Sequence, residues 1–99
     1  MYKDMARIYY ANGESARINP KNGSSFQLEE LYDHIGCEYI QVLNIPDTDT
    51  IAIMDEEGKF NADLQVNVQM TDYLIKTGAI YPHDYVVGNV IICDDEELE

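Results

Sequence analysis

Basic residues are scarce in this sequence. Six lysines and arginines stand against nineteen aspartates and glutamates in 99 residues, for a formal net charge of −13. A surface so poor in positive charge repels nucleic acid and anionic lipid, so neither a direct nucleic-acid partner nor a membrane partner is expected. Cysteine is nearly missing as well. Cys37 and Cys93 are the only two. Each falls inside an apparent strand, and without a secretion signal they read as buried thiols, not a disulfide. Two cysteines and two histidines at these spacings do not make a zinc site, and no metal or cofactor is expected. No apolar run approaches the roughly 18–20 residues that a membrane span requires. The opening Met1-Tyr2-Lys3-Asp4-Met5 has no apolar signal core, from which a cytoplasmic location is expected.

Catalytic patterns are absent too. There is no P-loop and no Gly-x-Gly-x-x-Gly run to cradle phosphate. The serines fall at a turn and a helix cap, and nothing fixes His34 and His83 near one another or near a nucleophile. No catalytic residue is assigned, and a non-enzymatic protein is expected. What is present is enough apolar material, 45% of the residues, for one folded domain. We expect that domain to span residues 1–93. Residues 94–99, of which five are acidic, read as a disordered, self-repelling tail.

Residues 36–59 carry the strongest strand–loop–strand pattern, and the rest of the chain is expected to organise around them. Residues 39–45 are apolar on both faces (Tyr39, Leu43 and Ile45 on one, Ile40 and Val42 on the other), which predicts a central, covered strand. Residues 50–54 are similar. Between them, Asp47-Thr48-Asp49 does not continue to the glycine and distal glutamate of a calcium loop. The tip Asp55-Glu56-Glu57-Gly58 reads as a solvated turn whose carboxylates stay ionised.

Residues 5–18 read as a hairpin around Asn12-Gly13. A two-residue loop would mix the faces by placing Ile8 beside Arg17. A three-residue loop, Ala11-Asn12-Gly13, pairs Tyr10 with Glu14, Ile8 with Ala16 and Ala6 with Ile18, so the apolar residues share one face. A short helix follows, capped by Ser24 or Ser25, with Ser24 and Gln27 spaced as a capping box. Leu28, Leu31 and Ile35 form its apolar stripe, and Gly36 is its stop. Residues 60–66 are irregular or hold a short strand. Asn67 is placed to cap a second helix over residues 68–77, with Met70, Tyr73, Leu74 and Thr77 inward and Gly78 at the end. The last strand spans residues 85–93. Gly88 within it predicts a bulge, a bend, or a close approach by another backbone or a ligand. The fold class is α+β, of order ββαββαβ, with a mostly antiparallel sheet of about five strands packed against two helices.

Several segments match a known family. They are Leu28-Glu29-Glu30-Leu31, then Ile35-Gly36 leading into Tyr39-Ile40-Gln41-Val42, then Asp55-Glu56-Glu57-Gly58-Lys59. Leu64-x-Val66-Asn67 and the closing Asp84-Tyr85-Val86-Val87-Gly88-Asn89-Val90-Ile91-Ile92 follow. On these residues, which cover most of the chain from Met5 to Asp94, the sequence resembles domain of unknown function 3846. The family's Gly-Leu-Pro before the asparagine is here Asp63-Leu64-Gln65. The resemblance implies a mobile-element or bacterial cytoplasmic setting, and it carries no activity and no catalytic residue.

Three functions remain open on sequence grounds. In the first, the protein engages a basic host protein through acids drawn from Glu29, Glu30, Asp33, Asp55, Glu56 and Glu57, in its sharpest form by imitating the charge of DNA. The second is a small-ligand, nucleotide-type binder, for which eight tyrosines offer stacking and Gly88 offers close approach. Asn67 completes the set of candidate binding residues. The third is a self-associating module, a homo-oligomer that closes the edges of its sheet.

Overall fold

Strand β5 (Val90–Asp94) is the axis of the molecule. In the computed structural model, which describes residues 6–98, it pairs antiparallel with β1 (Arg7–Tyr9) on one side and β4 (Thr50–Asp55) on the other. β2 (Ser15–Arg17) and β3 (Ile40–Asn44) complete a five-stranded sheet of order β2-β1-β5-β4-β3, with every named pair antiparallel. Residues 1–5, where the predicted hairpin and domain begin, and Glu99, the end of the predicted tail, lie outside the described residues.

Alternation along β4 and β5 builds two cores. Ile51, Ile53, Ile91 and Cys93 point to one face, where Leu31 and Ile35 of α1 (Leu28–Ile35) and Phe26 cover them. Ala52, Met54 and Val90 point to the other, where Met70 and Leu74 of α2 (Val68–Thr77) close over them. One helix therefore lies on each side of the sheet. Strands buried on both faces need no polar side, which accounts for the uninterrupted Thr-Ile-Ala-Ile-Met of β4. Each fully buried Leu, Ile or Phe side chain contributes about 1.5–3 kcal/mol. Among the described residues no helix is long and apolar enough to cross a membrane.

The first hairpin has the predicted register: Ile8 lies opposite Ala16, and Arg7 opposite Arg17. Tyr10 N–H donates to the Glu14 carbonyl at 2.8 Å and Gly13 N–H to that of Tyr10 at 3.0 Å, which closes the three-residue loop. α2 begins at Asn67 and stops at Gly78 as predicted. Within its stripe Met70 and Leu74 are buried, whereas Tyr73 is exposed.

Four expectations are corrected. The strand at residues 39–45 is an edge, not a centre: among the described residues β3 pairs only with β4, and Tyr39 and Val42 are exposed. Its two-sided apolar pattern arises because Ile40 packs toward α1 while Leu43 packs toward α2. The N-cap of α1 is Gln27, not a serine. Asn22 Oδ1 accepts the N–H groups of Ser24 and Ser25, both at 2.9 Å, in a turn that precedes the helix, so the helix starts at Leu28, too far on for either serine to be the cap residue. The last strand begins at Val90, because Gly88 adopts φ +82° and turns residues 85–89 away from the ladder. There Gly88 N–H donates to the Gln65 carbonyl and Val87 bridges Val66.

The acidic end is the fourth. Where a disordered tail was expected, Asp95–Glu97 forms a 3-10 turn, and the buried Glu97 side chain accepts the Asp94 N–H at 3.1 Å. The Glu97 carbonyl accepts the N–H of Phe26, Leu98 bridges Phe26, and Asp95 N–H donates to the Asp49 carbonyl. Strand-like pairing with the segment before α1 overrides the self-repulsion of the run.

Candidate functional site

A groove of about 740 Å³ lies on the α2 side of the sheet. Gln41 and Leu43 of β3 and Met54 of β4 form its floor, and the residues that follow α2, Ile80 to Val87, supply much of its far wall. Its end wall is the 3-10 turn Gly58–Phe60, where residue 58 packs closely under the Val87 carbonyl. A Cβ there would stand 3.2 Å from the Val87 carbonyl oxygen.

Three aromatic side chains stand in this groove with much of their surface in water: Phe60 is 87% exposed, Tyr81 72% and Tyr85 43%. Local geometry holds two of them. The Lys59 ammonium lies 4.6 Å from the Tyr85 ring centroid, and Tyr81 stacks on His83 at 5.8 Å and 3° between planes. Lys59, the only basic side chain among the described residues that line the groove, also forms an ion pair with Asp84. That partner, then the Tyr85 N–H, holds the Asp84 carboxyl below the usual aspartate range. Asp55 and Glu56 line the same groove. Three carboxylates thus face one lysine whose charge is already met, and the site favours a cation over an anion.

The candidate acids do not form one face. Asp55 and Glu56 enter the groove, while Asp55 and Glu57 line a second, shallower hollow with Glu38. Glu29 and Asp33 lie exposed on α1. Glu30 is buried: its carboxylate accepts the Gln27 N–H at 3.0 Å and the Lys21 N–H at 3.1 Å. Those bonds, the Gln27 one first, outweigh burial and lower its pKa. Asn67 is 1% exposed and bound up in the core, and Gly88 is buried beside Leu64.

Sequence reading missed Phe60, Tyr81 and Tyr85 as site residues. The available signal was aromatic residues placed in loops, where no core requires them. Neither cysteine is poised for chemistry. Both are free thiols, and burial first, then nearby carboxylates, pushes Cys37 up to about 11 and Cys93 up to about 12.

Comparison with known proteins returns no curated protein and no solved structure that matches. The model of the family described as Domain of unknown function (DUF3846) matches residues 5–99, and the chain belongs to that family.

Proposed function

We propose that this protein is a non-catalytic binding protein whose aromatic groove takes a cationic, partly apolar segment of a basic protein, in the cytoplasm of a bacterium or of a cell carrying a mobile element. The observation that carries the reading is the coincidence of Phe60, Tyr81 and Tyr85, largely exposed, with Asp55, Glu56 and Asp84 in one groove. Exposed aromatics in a concave site are the anchors that protein partners bury, and a carboxylate surround selects lysine and arginine beside them. The net charge of −13 adds long-range attraction for such a partner. A nucleotide fits less well, because its phosphates would meet Asp55 and Glu56 with only the paired Lys59 to receive them. Imitation of DNA is weakened by the burial of Glu30 and by the separate placement of Glu29 and Asp33 on α1.

The test is a titration with a lysine-rich peptide carrying one leucine and one phenylalanine, at about 50 mM and about 500 mM salt. Affinity should fall at the higher salt, and Phe60→Ala should weaken it about tenfold at both. The double variant Asp55→Asn, Glu56→Gln should flatten the salt dependence. An affinity indifferent to salt and to Phe60→Ala, or a tighter response to a nucleotide panel than to the peptide, overturns the proposal.

A further inference from the structure

The free edge of β3 borders the groove floor, and the two together define how a partner is held. Ile45 N–H donates to the Thr50 carbonyl and Glu56 N–H to that of Tyr39. In an antiparallel ladder bonded pairs alternate, so residues 39, 41, 43 and 45 turn their main-chain groups toward β4. Ile40, Val42 and Asn44 therefore turn their N–H and carbonyl groups outward, away from the sheet. The adjacent side chains Gln41 and Leu43 form the groove floor.

The two edges of the sheet differ. β2 is three residues long and carries Arg17, which are common ways of blunting an edge. β3 runs Ile-Gln-Val-Leu-Asn for five residues with no charge, no proline and no lysine. An unguarded edge beside an aromatic groove is built for an added strand. Charge identifies the occupant: Glu38 lies just before β3 and Asp47 and Asp49 just after it, all exposed. A segment laid along the edge meets an uncharged stretch with carboxylates at both ends.

We infer that the partner binds as a sixth strand on β3, through an extended segment with a short uncharged core flanked by basic residues, its inward side chains reaching the groove. This rests on the proposed reading of the groove as a site for a cationic segment. A second copy of this chain is the poorer occupant. Antiparallel pairing about Val42 would bring Glu38 of each copy beside Pro46 and Asp47 of the other, between molecules that each carry −13.

The experiment uses the isotope-labelled full chain and a peptide with a Val-Thr-Ile-Thr-Val core between paired lysines. Two further peptides are N-methylated on one or the other alternate set of core residues. On strand addition, amide exchange slows at Ile40, Val42 and Asn44. One methylated peptide then loses about tenfold or more in affinity while the other binds nearly as the parent, since only one set of amides faces β3. Equal affinities for the two methylated peptides, with Phe60→Ala still weakening the parent, overturn strand addition and leave the groove reading standing. No binding of the parent, or parent binding indifferent to Phe60→Ala, removes both. Slowed exchange at the same three amides without peptide, growing with protein concentration, overturns the inference in favour of a second copy.

Discussion

Asn67 joins three parts of the fold that are far apart in sequence. Its Oδ1 accepts the Met70 N–H at 3.0 Å and starts α2. Its Nδ2 donates to the carbonyls of Tyr9 at 3.0 Å and Gly88 at 2.9 Å, tying β1 to the bend before β5. Only the cap was legible in the sequence, because a cap partner lies three residues away while the carbonyls it holds lie 58 and 21 residues away. The burial of Glu30, a candidate binding acid by sequence, was illegible for the same reason. A first-turn glutamate looks the same in sequence whether it faces water or bonds the N–H groups of Gln27 and Lys21. Asn67→Ala leaves one N–H and two carbonyls without their partner, at about 1–3 kcal/mol for a buried group left unmade. We expect a loss of about 3 kcal/mol or more by urea unfolding. Asn67→Asp keeps the cap acceptor but sets a buried carboxylate against two carbonyls, so it should be no more stable than the alanine variant at neutral pH and should recover on acidification. An alanine variant within 1 kcal/mol of wild type, a threshold set by one ordinary hydrogen bond (about 1 kcal/mol), would refute this account.

At the scale of elements, local chemistry was readable and neighbours were not. The three-residue loop at residues 11–13 followed from keeping Ile8, Ala16, Ala6 and Ile18 on one face, and the register obeys it. The glycine stops at Gly36 and Gly78 were equally plain. The pattern of β3 announced apolar residues on both faces but could not say that, among the described residues, the second strand neighbour is missing and a groove lies over the α2-side face. The groove aromatics escaped because they come from two separate loops, and no periodicity links Phe60 to Tyr81 and Tyr85. The acidic end escaped because its partner, Phe26, is long-range. Deleting residues 95–99 tests that end. It removes four acids (Asp95, Glu96, Glu97 and Glu99), and relief of surface repulsion is worth tenths of a kcal/mol each when screened. It also strips the acceptor from the N–H of Phe26, a fully buried residue, and the Leu98 side chain from the α1-side core. The contacts win: the truncated chain should be less stable by about 2–3 kcal/mol at about 0.15 M salt. A solvated tail would instead leave stability unchanged or raise it, and urea midpoints separate the two.

The chain carries a net charge of −13, and its described residues fold to a radius of gyration of 12.7 Å. At about 0.01 M salt the screening length is roughly 30 Å, so most of the carboxylates repel one another across the domain; at about 1 M it is roughly 3 Å and they do not. Added salt should therefore raise the urea midpoint at pH 7 while it weakens capture of a cationic peptide, two opposite slopes from one charge distribution. Acid separates the general field from a specific bond. Glu30 has its folded pKa lowered from 4.5, first by the Gln27 N–H, so the stability it lends is fully present above about pH 4.5 and is lost as pH falls through the folded value. Neutralising the other carboxylates over the same range relieves repulsion and works the other way. Comparing wild type with Glu30→Gln in high salt, where repulsion is screened, isolates the bond. The wild-type advantage should be constant from pH 7 to about pH 5 and shrink steadily below about pH 4. A gap that stays the same down to pH 3 would mean that Glu30 is not held as an ionised cap, and the anchoring of the Lys21 loop to the start of α1 would need another cause.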